Sequence, residues 1–286
     1  MGQNKKVRPI VIPLHFGANT EGIQLGAKHI VDYLKDYILL PEIEISQTVE
    51  DAHLRNLATV LATNALLATA TASIYKAGEF PLIIGGDHSV ALGSISAIAA
   101  SEDNLGVIWV DAHGDMNTSK TSDSGNIHGM ILAALLGEGD KRLVDLYQAK
   151  IKIQKENVII FGVRDLDEKE ELTINRLNVK YFSYEYIKKV GLAEALREVD
   201  VYFKRKIEKL HISIDLDSLD PDIIPGVSVP VEDGFTKDDV RKITTHLFTN
   251  FEISSCDIVE YNPLLDKKDK TLDFLLELVE QVTQLV

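Results

Sequence analysis

Six side chains of metal-ligand type fall in three short segments. His88 follows Gly85-Gly86-Asp87, Asp111, His113 and Asp115 stand at every second position, and Asp215 and Asp217 repeat that spacing. Alternate residues of an extended chain point to the same side, so each segment should present its donors together. Four carboxylates gathered in one place would repel one another, and keeping them ionised would carry a desolvation cost. Two divalent cations would balance the four negative charges, and shared carboxylates would hold the ions about 3.5–4 Å apart. A donor set rich in oxygen and free of thiolate suits manganese better than structural zinc. Water between two such ions loses a proton near neutral pH, so hydrolysis is the expected chemistry. One strand-end Asp or His alone is commonly a helix cap or a satisfied polar group. The set of six at these spacings carries the metal-site expectation.

Such residues must be positioned by elements far apart in the chain. Apolar runs that read as buried strands occur at 10–12, 81–84, 107–110, 158–161, 210–214 and 256–259. They alternate with segments of helical periodicity, clearest at 52–76, at 193–206, and near the C-terminus with Leu272, Leu275, Leu276 and Val279 on one face. This alternation predicts an α/β fold with a parallel sheet covered on both faces. Several of these runs end in the acidic and imidazole residues above, and another ends in Glu260. Open α/β sheets bind ligands beyond the carboxyl ends of their strands, so the segments should converge on one crevice. No repeat, linker or composition shift divides the chain, and a single domain over 1–286 is expected. Two stretches without periodicity, 112–127 and 218–234, are the expected functional loops.

The composition narrows the alternatives. The 286 residues are 45% hydrophobic and 26% charged, as in ordinary globular proteins. Thirty basic against forty-four acidic residues give a net charge of −14, which repels phosphate backbones and anionic lipid, so no nucleic-acid or membrane partner is expected. Cys256 is the only cysteine and lies in an apolar run, which excludes an intrachain disulfide and a thiolate-rich metal site and fits a reducing, cytoplasmic setting. The N-terminal segment lacks the apolar core of a secretory signal, Lys6 stands where an acylation signal needs Ser or Thr, and no run is read as long enough to span a membrane. The phosphate-loop, Gly-x-Ser-x-Gly, His-Glu-x-x-His and Cys-x-x-Cys motifs are absent. Trp109 is read as core, and His15, His29, His53, His211 and His246 as structural or solvated.

The segments Gly85-Gly86-Asp87-His88-Ser89, Asp111-Ala112-His113-Gly114-Asp115-Met116-Asn117, Ser124-Gly125-Asn126-Ile127-His128-Gly129, Ser213 through Pro221, and Glu260-Tyr261-Asn262-Pro263 resemble, in order, the signature blocks of the arginase (ureohydrolase) family. The resemblance implies a three-layer α/β/α fold around a mainly parallel sheet of about eight strands. It implies two Mn2+ ions per chain, one on His88, Asp111, Asp115 and Asp215, the other on His113, Asp111, Asp215 and Asp217. The implied reaction is attack of a bridging hydroxide on a guanidino carbon, yielding urea and an amine. Asp217 would help stabilise the tetrahedral intermediate, His128 would shuttle the proton, and Glu260 would pair with the substrate guanidinium.

By the same resemblance, Asn117, Ser122, Ser124 and Asn126 would bind an α-carboxylate, and Asp167 and Glu170 an α-amino group, which favours L-arginine. The plainer alternative is that Asp167 and Glu170 cap the following helix. Agmatine, guanidinobutyrate and formiminoglutamate remain alternative small-molecule substrates, and a non-catalytic metal-binding relative is the further alternative. The segment from Ser228 to Gly234 departs from the usual Gly-Thr-Pro-containing loop and puts Val229 where many relatives have threonine. Relatives assemble as trimers or hexamers, so a homo-oligomer is implied.

Overall fold

The computed structural model describes residues 5–45 and 51–286. Residues 1–4, part of the segment expected to carry no export or acylation signal, lie outside the described residues. The strands are β1 (Val7–Val11), β2 (Ile38–Leu39), β3 (Phe80–Ile84), β4 (Leu105–Val110), β5 (Val158–Val163), β6 (Lys180–Ser183), β7 (Lys209–Asp215) and β8 (Ile253–Val259). The helices are α1 (Ile23–Val31), α2 (Leu57–Lys76), α3 (Ala91–Ala99), α4 (Ile131–Leu135), α5 (Lys141–Val144), α6 (Glu168–Leu177), α7 (Tyr184–Val190), α8 (Leu192–Phe203), α9 (Lys237–Asn250) and α10 (Lys270–Leu285).

The eight strands form one sheet in the order β2-β1-β3-β8-β7-β4-β5-β6, with every pairing parallel. Burial on both faces explains why the central strands read as continuous apolar runs rather than as alternating ones. In β4, Ile108 and Val110 pack with α8, α9 and α10 on one face, whereas Val107 and Trp109 pack with α2, α3 and α4 on the other. These two layers and the sheet make the three-layer α/β/α architecture. Pro81 is tolerated inside β3 because its missing N–H faces β8, whose register with β3 begins only at Leu82 and Cys256.

Local chemistry moves some boundaries. The helix read from residue 52 starts at Leu57, because Asn56 adopts a left-handed φ of 54° and ends the preceding turn. The segment read as 193–206 is helical over Leu192–Phe203. The reading that no run reaches membrane-spanning length is corrected by α2, a 20-residue helix apolar and long enough to cross a bilayer by length and composition. Its inner side instead packs on α3, where Asn64 Oδ1 accepts the Gly93 N–H at 2.8 Å. Buried Thr63, Asn64 and Thr71 on that side mark it as a core helix.

Candidate metal centre and active site

Four strands that are distant in sequence, β3, β8, β7 and β4, lie side by side at the centre of the sheet. Their carboxyl ends deliver His88, Glu260, Asp215 and Asp111 to one place. After β3 the chain turns through Gly85 and Gly86, at φ 82° and 79°, a backbone only glycine adopts without strain. Asp87 then caps a 3-10 turn by accepting the Ser89 N–H, while its other oxygen accepts the Gly17 and Ala18 N–H groups at 2.8 and 3.1 Å. That carboxylate is spent on holding the 15–18 loop, and His88 is left facing inward.

His88 is 1% exposed, and its Nδ1 lies 3.0 Å from Asp111, 3.1 Å from Asp215 and 3.3 Å from Asp115. Nδ1 nevertheless makes no well-formed hydrogen bond to any of them. His113 Nδ1 stands 3.1 Å from Asp217 and 3.4 Å from Asp111. His88, Asp111 and Asp215 form one group able to hold an ion, Asp111, His113 and Asp217 a second, and Asp111 belongs to both. Burial and mutual repulsion push the carboxyls of Asp115, Asp215 and Asp217 above the usual carboxylate range. Asp111 goes the other way: burial opposes its charge, but His113 and His88 outweigh that and hold it well below the usual range. An orphaned buried imidazole nitrogen facing crowded carboxylates fits a hard divalent cation.

The six expected ligands do come together, but not by the alternation of an extended chain. Asp115 adopts φ 50°, in the left-handed region, and Asp217 sits in a 3-10 turn, Leu216–Ser218, whose N-cap is Asp215. Turns, not pleats, aim the second and third donors. Asp215 Oδ1 accepts the Asp217 N–H at 2.7 Å, and Asp111 Oδ1 accepts the His113 N–H at 2.7 Å, so each first ligand orients the next.

Trp109, read only as core, has a second task. Its ring stacks on His88 at 3.9 Å and 8°, and its Nε1–H donates to Asp111 Oδ2 at 2.8 Å. Ser213 Oγ meets His88 Nε2 at 2.8 Å, leaving Nδ1 for the cluster. Such partners fix ring orientation and tautomer at metal sites. The sequence carries no spacing signal for either contact, since both residues sit in apolar strands. His211, read as structural, is fully buried and bonded to Ser255 at 2.7 Å and Asp257 at 3.1 Å.

Beside the cluster, Glu260 is 2% exposed and holds φ 69°, a strained conformation for a residue other than glycine. Its Oε1 accepts the His88 N–H at 2.8 Å and lies 3.1 Å from His128 Nδ1, whereas Oε2 has no partner. Burial opposes charge on His128, but the bond and charge of Glu260 prevail and push it up to about 9.

A cavity of about 140 Å³ opens onto His113, Asp115, Asp215 and Asp217. His128 and Gly129, Asn117 and Glu170, and Val229 complete the described lining. Glu170 accepts the Met116 N–H at 3.0 Å, and burial raises its carboxyl to about 7. Ser124, Asn126 and Asp167 are not among the lining residues. Ser124 Oγ lies 3.3 Å from Ser122 Oγ, Asn126 Nδ2 donates to the Ala18 carbonyl at 2.9 Å, and Asp167 caps α6 while accepting Asn117 Nδ2 at 2.8 Å. Arg164, after β5, donates to the carbonyls of Asp217, Ser218, Leu219, Val231 and Glu232 at 2.8–3.3 Å, joining the turn that bears Asp217 to the loop that bears Val229.

With this fold and site in view, comparison with known proteins is direct. The family model described as Arginase family matches residues 6–284, and the chain belongs to that family. It is 39% identical over 290 residues to a protein named arginase from Bacillus subtilis, with 98% of each chain covered. Among solved structures it resembles arginase from Bacillus cereus, with a TM-score of 0.89 at 38% identity over 98% of each chain. It also resembles Entamoeba histolytica arginase, solved in complex with L-ornithine, with a TM-score of 0.88 at 30% identity over 98% of this chain and 99% of that one.

Proposed function

We propose that this chain is a single catalytic domain that hydrolyses L-arginine to L-ornithine and urea with two manganese ions. Family membership and the full-length similarity to arginases support the reaction. The observation that carries the mechanism is the buried His–Asp cluster placed against the His128–Glu260 pair at the end of one cavity. His88, Asp111, Asp115 and Asp215 would hold one ion, and His113, Asp111, Asp215 and Asp217 the other. When bound, the cations supply a water that ionises near neutral pH and so provide the nucleophile.

The remaining steps fall to the chain itself. A guanidinium is a planar cation, and the carboxylates lining the inner cavity favour its entry. Glu260 Oε2, without a partner in the protein, is an acceptor for a guanidinium N–H. Asp217 would help stabilise the tetrahedral intermediate, its carboxylate accepting N–H groups of the former guanidinium. Glu260 engages Nδ1 of His128 and keeps that ring protonated at neutral pH, so that Nε2 can deliver a proton to the departing amine. Asn117, Ser124 and Asn126 would receive the α-carboxylate, and Asp167 and Glu170 the α-amino group. The reading extends to a cytoplasmic homo-oligomer, trimeric or hexameric by family resemblance.

The test combines turnover with binding. Manganese-loaded protein should release urea from L-arginine, and a chelator should abolish that release. Metal analysis should return two ions per chain. Because Trp109 is the sole tryptophan and touches both His88 and Asp111, its emission should change during manganese titration. Urea release from agmatine alone would transfer the assignment to another ureohydrolase.

A further inference from the structure

The cavity is polar with one exception. Among its described lining residues, Val229 alone has an apolar side chain, and it is 39% exposed. The others are carboxylates, imidazoles, an amide and Gly129, where an added Cβ would meet nothing within 4 Å.

The loop that carries Val229 is pinned on both sides. Arg164 grips it at Val231 and Glu232. On the other side, Asn262 Nδ2 donates to Ser228 Oγ and to the Glu21 carbonyl, each at 3.0 Å, and the Asn262 N–H donates to the Gly226 carbonyl at 2.8 Å. The hydroxyl adjacent to Val229 is therefore committed to anchoring the loop, and Ser228 is not among the lining residues. A side chain held in this way offers a preformed surface, with little ordering entropy left to lose on binding.

We propose that Val229 is a specificity-determining residue whose isopropyl group packs against the aliphatic stem of the substrate. The proposal rests on the guanidino amino-acid reading above. Such a substrate has polar groups at both ends and methylenes between them, and the cavity has one apolar side chain to receive those methylenes. The stem does not react, so this contact stabilises the bound ground state and the transition state alike. Its loss should therefore appear in KM rather than in kcat.

The experiment compares Val229→Ala and Val229→Thr with the unmodified enzyme on L-arginine and on L-canavanine, in which an oxygen replaces the stem methylene next to the guanidino group. Val229→Ala should raise KM for L-arginine roughly fivefold to tenfold, with kcat held within about twofold. Val229→Thr, of similar shape, should narrow the preference for L-arginine over L-canavanine by roughly fivefold. The affinity of L-ornithine, which has the stem without the guanidino group, should fall in Val229→Ala by a factor like that seen in KM when measured by calorimetry. Unaltered KM, substrate ratio and L-ornithine affinity in both variants would overturn the proposal, as would a loss confined to kcat. An unmodified protein that releases no urea would count against the arginine reading alone, because the L-ornithine measurement still decides the role of Val229.

Discussion

The buried cluster at the inner end of the cavity and the polar loop residues outside its lining are built differently. At the inner end, His88, Asp111, Asp215 and Asp217 are at most 3% exposed and issue from neighbouring central strands or the turns that directly follow them. Outside the lining, Ser124 and Asp167 are exposed, and with Asn126 they bond to nearby loops or to the start of a helix. Under the proposed function, the sheet would fix the atoms that do the chemistry, whereas loops would fix those that choose the substrate. A displaced inner atom should cost the reaction itself, and a displaced outer atom only the preference among substrates.

Asp111→Asn is the strongest way to break this contrast, because Asp111 belongs to both groups able to hold an ion. Manganese affinity should fall by more than about 100-fold, with activity following. Metal analysis after dialysis checks this, and retention equal to that of an Asp167 variant would abolish the distinction between the two ends.

Glu260→Gln probes the layer between them. His128 is raised to about 9, so its protonated form is present below that pH and is lost as pH rises through it. Removing the Glu260 charge lowers that value, and the alkaline limb of kcat against pH should move down by about 1–2 units. An unmoved limb would show that Glu260 does not hold the proton on His128.

The smallest effect belongs to the rim. Asp167→Asn keeps an acceptor to cap α6, and Asn117, whose Oδ1 has no partner, can turn its amide to meet the new side chain. The charge for an α-amino group is lost, so KM for L-arginine should rise about threefold to fivefold with an unchanged thermal midpoint. Asp167→Ala should add a stability loss of about 1 kcal/mol from the missing cap. Equal stability in the two variants would mean that the cap contributes little.

Legibility in the sequence follows the same division. The strands at the heart of the sheet are buried on both faces, and their unbroken apolar runs could be read directly. The edge strands β2, two residues long, and β6, which carries Lys180 and Tyr181 half-buried, lack such runs and give no strand signal in the sequence. All six ligand candidates could be read because residue type and spacing are themselves the signal. Their meeting at the carboxyl ends of the strands could be read too, but not the local geometry that aims them, since the left-handed turn at Asp115 and the 3-10 turn at Asp217 do not appear in a pattern of types. The second tasks of Trp109 and Ser213 were hidden for the opposite reason: in a buried strand, an indole or a hydroxyl looks like packing until its neighbour is known.

Arg164 fastens its loop through peptide carbonyls alone. A fastener blind to side-chain identity tolerates rewriting of the strip it secures. Val229, whose side chain takes no part in that fastening, can therefore depart from the usual family text while the main-chain path stays put. The fold keeps one editable surface against an otherwise inflexible reaction chamber, so new substrate preferences can be tried there without reopening the problem of assembling the cation-binding groups.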